Sequence, residues 1–209
     1  MSQYVTAKQM KEIEYQAYTQ GIPYLTMMEN AGKSAYKEII NTYSLQGKVV
    51  VVLVGKGNNG GDGYVVARYL KEAGYMVFVI MTEGMPVTED AKTNFQRCIK
   101  QGIEVISYEP GITDFMLNGA DYIVDAIYGA GFHGMFREPI DLIARKVNES
   151  DAKVIALDLP SGLNADTGEA DPNAISADLT IAFARFKIAH KTELGQMLCK
   201  NIILADIGI

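Results

Sequence analysis

Cysteine, histidine and long apolar runs are all scarce in this chain. Of its 209 residues, two are cysteine (Cys98 and Cys199) and two are histidine (His133 and His190). The cysteines lack C-x-x-C spacing, which argues against a disulfide framework and a cysteine-based zinc site. The histidines lie far apart and read as solvated or loop residues. No apolar run reaches the ~18 residues that span a bilayer. The opening stretch Met1-Ser2-Gln3-Tyr4-Val5-Thr6 has no apolar signal segment. Positive charge is also in deficit: 19 Lys and Arg stand against 25 Asp and Glu, a net charge of −6. That balance disfavours broad nucleic-acid binding. The expectation is a protein of a reducing, cytoplasmic compartment with neither nucleic acid nor membrane as partner. Repeats, low-complexity tracts and linkers are absent as well, so residues 1–209 read as one domain able to bury a large core.

What the chain does have is apolar strands alternating with helical stretches. Strands are expected at Val49–Val54, Met76–Met81, Glu104–Ser107, Tyr122–Asp125, Val154–Leu157, Leu179–Phe183 and Ile202–Ala205. Helices are expected at Gly63–Ala73, Asp90–Gln101, Ile112–Leu117 and Pro139–Val147. Thr6 with Gln9, and Thr26 with Glu29, have capping-box spacing. They predict two helices ahead of the sheet, ending near Gly21 and Tyr43. Near-continuous apolar strands are buried on both faces, and alternation with helices gives a mostly parallel sheet. The fold class is α/β: a Rossmann-like, doubly wound, three-layer α/β/α sandwich over 47–209, preceded by N-terminal helices over 1–46. Ligands in such sheets sit beyond the C-terminal strand ends.

The first strand runs into Gly55-Lys56-Gly57-Asn58-Asn59-Gly60-Gly61-Asp62-Gly63. Glycines admit close approach of backbone N–H groups, and first-turn helix amides lack internal partners, so this is a phosphate-type site. Gly55, Gly57 and Gly60 fit G-x-G-x-x-G, with Glu83 about 20 residues on, as in dinucleotide sites. Asp62 departs from that pattern, because a carboxylate at the helix start repels pyrophosphate; the bland alternative makes it a helix N-cap. The Walker pattern fails too, since Gly61-Asp62 stands where Lys-Ser/Thr belongs.

Two further strands end in the same style. Asp125 precedes Ala126-Ile127-Tyr128-Gly129-Ala130-Gly131, and Asp158 precedes Leu159-Pro160-Ser161-Gly162. Two aspartates at strand ends beside a glycine loop favour a composite site. Asn59, Asp125 and Ser161 together offer oxygen ligands for a hard cation. With one full negative charge among them, a monovalent ion fits better than Mg²⁺, and Asp158 stays free to move protons. A serine-hydrolase reading of Ser161 is set aside, because Asp158-Leu159-Pro160-Ser161-Gly162 is not G-x-S-x-G and only His133 and His190 could supply a base.

These motifs, together with Met28-Glu29-Asn30-Ala31-Gly32 and Ala205-Asp206-Ile207-Gly208-Ile209, resemble the YjeF N-terminal domain family over nearly the whole chain and in the family's order. The resemblance implies an isomerase, an NAD(P)H-hydrate epimerase. Such enzymes interconvert the R and S forms of NADH or NADPH hydrated at C6 of the nicotinamide ring (NADHX, NADPHX), so that a dehydratase can repair both. It implies that Asn58, Asn59, Gly60, Gly61 and Asp62 contact the hydrate. Gly129, Ala130, Gly131, Phe132, His133, Gly134 and Met135 form a second ligand loop, and Asp158 contacts the hydrate as well. Potassium is the implied cofactor, bound by Asn59, Asp125 and Ser161; the hydrate itself is substrate. Asp158 is the expected proton-transfer group. Lys187 matches a family lysine that many members carry before Pro-Gly; here Ile188-Ala189 follows, and the lysine reads equally as catalytic or as a surface residue. A homodimer and a separate dehydratase are the implied partners. The rival within the family is a non-catalytic scaffold of the RNA-decapping or lipoprotein-binding type.

Overall fold

The computed structural model describes residues 4–209; Met1, Ser2 and Gln3, part of the stretch read above for a signal segment, lie outside them. Nine strands and seven α-helices are described. In chain order they are β1 (Tyr4–Val5), α1 (Ala7–Thr19), α2 (Tyr24–Thr42), β2 (Val49–Val54), α3 (Asn58–Glu72), β3 (Met76–Met81), α4 (Glu89–Lys100) and β4 (Glu104–Ser107). There follow α5 (Ile112–Asn118), β5 (Tyr122–Ala126), α6 (Ile140–Glu149), β6 (Lys153–Leu157), β7 (Leu179–Phe183), β8 (Phe186–Lys187), α7 (Glu193–Cys199) and β9 (Asn201–Ala205). A 3₁₀ turn over Ile188–Lys191 joins β8 to α7.

The main sheet has the order β4-β3-β2-β5-β6-β7-β9, and every neighbouring pair is parallel. Side chains of a strand alternate between faces. Val50, Val52 and Val54 of β2 therefore join one core with Ala35 and Ile39 of α2 and Tyr64 and Leu70 of α3. Val51 and Leu53 face the opposite core with Leu117 of α5 and Ile143 and Val147 of α6. Burying each such aliphatic side chain contributes roughly 1.5–3 kcal/mol, which explains why the strands read as unbroken apolar runs. The winding reverses between β2 and β5, so a crevice opens at their C-terminal ends.

Three local expectations are corrected. Helix α3 begins at Asn58, not at Gly63, and the glycines lie inside it. Gly60 is there because a Cβ would stand 2.0 Å from the Gly55 carbonyl oxygen; close packing overrides the ~1 kcal/mol helix penalty of each glycine. Asp62 is thus inside α3, and the N-cap is Gly57. Helix α2 starts at Tyr24 after Pro23, so Thr26 and Glu29 form no capping box; Glu29 instead receives Arg68 and Arg97. The Thr6–Gln9 capping box of α1 is present. Strands β1 and β8 and helix α7 were not expected. Two-residue strands carry no pattern. In α7 the buried positions are Gly195 and Cys199 while Leu194 and Met197 are exposed, so no apolar stripe marks it.

The short parallel pair matters for the site. Tyr4 pairs with Phe186 and Val5 with Lys187, and the Ala7 N–H donates to Asp166 at 2.6 Å. These contacts seat α1 over the crevice. Met10 and Ala17 of α1 are buried within the chain.

Candidate active site

A cavity of about 480 Å³ lies at the reversal point. Its floor comes from the segments that follow β2, β5 and β6, and Met10, Lys11 and Glu14 of α1 form one wall. The volume is in the range of small-molecule sites.

At the β5 and β6 ends, Asp125 is fully buried. Its Oδ2 accepts from the Ser161 N–H at 2.7 Å, and its Oδ1 accepts from the Ser161 hydroxyl at 2.6 Å and the Ile127 N–H at 3.2 Å. Burial pushes this carboxyl up to about 6 against the opposing pull of the Ser161 donors. The Tyr128 N–H donates to Ser161 Oγ at 2.9 Å, which pins the loop after β5 to the loop after β6. Asn59 lies across from them. A Cβ on Gly129 would stand 3.3 Å from both the Asn59 amide and Asp158 Oδ2, so these two side chains flank that glycine. The Asn59 side-chain nitrogen is buried without a hydrogen-bond partner.

Asp158 takes a left-handed backbone conformation (φ 67°), which turns its carboxylate into the cavity. Its Oδ2 accepts from the Ala130 N–H at 3.2 Å, and Oδ1 pairs with the Lys187 ammonium. Lys187 is buried, 1% exposed, with its Nζ also donating to the carbonyls of Phe183 at 2.9 Å and Arg185 at 3.1 Å. All three ammonium protons are therefore taken, and the surface-lysine reading is corrected. His190, read as a solvated or loop residue, is also buried. Its Nδ1 accepts from the Lys187 N–H at 2.9 Å, which leaves Nε2 protonated to donate to the Asp158 carbonyl at 3.0 Å. Neutral His190 thus clamps the backbone of both members of the ion pair.

Two more carboxyls share the cavity. Asp62 is half-buried by exposed area, yet protein surrounds it on the cavity floor. Desolvation, then the charges of Asp158 and Glu14, raise its carboxyl well above the ordinary range, and Lys187 only partly offsets them. Glu14 is raised by desolvation and by Asp158. Glu14 was missed in the sequence because nothing in an amphipathic helix marks one glutamate as folding back over a distant loop.

The other candidates divide. Asn58, Gly129, Ala130, Gly131 and Phe132 line the cavity. Gly60 and Gly61 are buried beneath it, the latter against Met28. His133, Gly134 and Met135 lie beyond its lining; His133 faces Asn164 at 3.4 Å and Met135 is exposed. Cys98 and Cys199 are buried, with burial pushing both thiols up to about 12, so neither is a ready nucleophile.

The sequence matches the family described as YjeF-related protein N-terminus over residues 25–189. This chain belongs to that family. Among its relatives, the NAD(P)H-hydrate epimerase of Limosilactobacillus reuteri is 37% identical over 207 residues, covering 98% of this chain and 95% of its own. The bifunctional NAD(P)H-hydrate repair enzyme Nnr of Archaeoglobus fulgidus is 35% identical over 211 residues; the match takes in 99% of this chain but 42% of that protein. The crystal structure of yeast ynu0 superposes with a TM-score of 0.83 at 27% identity, covering 96% of this chain and 86% of that one. The YjeF-type fold is thus the one observed here. No helix among the described residues is long and apolar enough to cross a membrane.

One pH effect follows from the clamp. Burial holds the His190 imidazole down at about 4, from an ordinary 6.5. As pH falls through 6.5 the unfolded imidazole takes a proton that the folded one refuses until about 4. Its contribution is therefore complete above pH 6.5 and lost towards pH 4, about 3 kcal/mol at most. Asp125, raised to about 6, acts in the opposite sense over an overlapping window. The difference between wild type and His190→Asn in urea unfolding isolates the histidine. The variant's deficit is expected to be large at pH 7 and to shrink towards pH 4.5; a pH-independent deficit contradicts the buried neutral imidazole.

Proposed function

We propose that this protein is an NAD(P)H-hydrate epimerase that works together with an NAD(P)H-hydrate dehydratase in the cytoplasm. The observation that carries the reading is the convergence of Asp62, Asp158 and the Lys187 ion pair in one cavity, beside a glycine-bearing helix N-terminus. Relatives named for this activity align over nearly the entire chain. Relatives that bear both repair activities support the dehydratase as partner.

The chemistry asks little of a protein. The C6 hydroxyl neighbours the ring nitrogen, so the centre is a carbinolamine. Its configuration is lost by ring opening and reclosure, or by departure and return of water. Either route moves a proton on and off one oxygen, a task for a positioned carboxyl. We assign that task to Asp158, held in place by Lys187 and the Ala130 N–H. Asp62, whose surroundings favour its protonated form, donates a hydrogen bond to the same substrate end. The raised proton affinity of Asp62 suits it to the acid's part beside the lysine-paired Asp158.

Potassium fits the residues Asn59, Asp125 and Ser161. The Asn59 amide has one buried end without a partner, and rotation exchanges its nitrogen for its oxygen. One carboxylate with neutral oxygens matches a monovalent ion, and no group of three or more His, Cys, Asp or Glu among the described residues is placed to hold a metal. When bound, the ion supplies positive charge beside the ligand.

The test couples the protein to a dehydratase that consumes only the S hydrate. In potassium buffer both epimers of NADHX are expected to disappear. With lithium in place of potassium, consumption of R is expected to slow at least about tenfold. Persistence of R at its uncatalysed rate in potassium contradicts the proposal.

A further inference from the structure

Glu83 lines the same cavity as Asp158, from the end of β3 with β2 and β5 between it and β6, and takes no part in the proton chemistry above. It follows β3, the strand next to β2, and the loop behind it is tied down by two contacts. The Thr82 N–H donates to the Val54 carbonyl, and the Val87 N–H donates to the Lys56 carbonyl at 2.9 Å. Desolvation together with the nearby Glu83 carboxylate raises the proton affinity of the Tyr128 hydroxyl, and Glu83 Oε1 faces Lys56 at 3.7 Å. Its other oxygen, Oε2, is buried without a hydrogen-bond partner. So is the hydroxyl of Thr88, a second lining residue from this loop. A buried acceptor and a buried hydroxyl without partners are costly unless a ligand supplies them.

Position in the fold says which part of a ligand arrives there. In a doubly wound dinucleotide site, the acidic side chain after the second strand takes the ribose hydroxyls next to adenine, and the reactive ring lies across the reversal point. Here β2 is the first strand, β3 the second, and Asp125 and Asp158 lie across the reversal. The sites at Glu83 and Asp158 open into one continuous cavity.

We infer that Glu83 and Thr88 bind the adenosine ribose of the hydrate, with Glu83 accepting from its 2′-hydroxyl and selecting NADHX over NADPHX. The inference rests on the epimerase reading and adds the cofactor form to it. A 2′-phosphate would bring two negative charges against a carboxylate that Lys56, about half exposed, only partly balances.

Two measurements separate this inference from the reading it rests on. Epimerisation of NADHX and NADPHX is compared in wild type, Glu83→Gln and Thr88→Val. Binding of ADP-ribose and its 2′-phosphate is measured by calorimetry on the same proteins. The expected result is a preference of at least about tenfold for the non-phosphorylated form in both assays. In Glu83→Gln it is expected to collapse towards one, mainly through improved use of the phosphorylated form. Thr88→Val is expected to weaken both ligands with smaller change in the ratio. Equal use and equal binding of the two forms by wild type, or a ratio unmoved in Glu83→Gln, overturns the inference. If wild type epimerises neither hydrate, the catalytic reading fails alone, and the binding ratio still decides the ribose subsite.

Discussion

Asp158→Asn is expected to lower the epimerisation rate by about 10²–10⁴, the usual contribution of one positioned acid–base group, while KM changes little. The substitution is well suited to the position. Asp158 sits at φ 67°, where asparagine is among the few non-glycine residues accepted at low cost. The amide keeps an oxygen for Lys187, but it removes the charge that balances the buried ammonium and turns its nitrogen towards the Ala130 N–H. The variant is therefore expected to be less stable as well as less active. What it cannot do is carry the proton. Steady-state kinetics on the S and R hydrates, with ligand binding by calorimetry as control, separates these effects. Turnover within about twofold of wild type would remove Asp158 from the chemistry.

Lys187→Met is expected to be the most destabilising single change at the site. The ammonium is buried and neutralises Asp158, with Glu14 and Asp62 nearby. Removing one member of a buried pair leaves the other charge uncompensated and costs about 3–5 kcal/mol. For a chain of this length that lowers Tm by roughly 10 °C. It also orphans the carbonyls of Phe183 and Arg185. The double variant Lys187→Met/Asp158→Asn relieves the uncompensated carboxylate. It is therefore expected to be more stable than Lys187→Met alone, a coupling that a purely packing role for the lysine would not produce. Additive losses in thermal unfolding contradict the ion-pair account.

Much of this arrangement is legible in the sequence, and the gaps have physical causes. The strands read well because burial on both faces leaves no ambiguity: Val49–Val54 and Leu179–Phe183 match the observed β2 and β7 in both bounds. Asp125 and Asp158 read as site residues because two carboxylates close strands at the end that carries the glycine loop, where either alone would read as a turn former. Helix α3 was misjudged at its start because local propensity counts glycine as a loop former, while tertiary contact with Gly55 and Met28 makes it the fitting helical residue here. Glu14 and His190 were missed or misread because their importance is set by long-range contacts. Glu14 arrives from α1, seated by the β1–β8 pair, and His190 is buried by the turn that follows Lys187. Neither leaves a mark in spacing. Lys187 stands between these cases: resemblance pointed to it, but only its three buried acceptors explain its place.

The central claim is that this cavity interconverts two epimers at one carbon, and it can be tested without any coupling enzyme. Purified S hydrate of NADH is incubated with the protein in potassium buffer, and the R hydrate is followed by chromatography. The account predicts that R appears at a rate proportional to protein concentration until the two epimers reach their equilibrium ratio, and that Asp158→Asn loses this rate. Appearance of R at the same rate with and without the protein would contradict it.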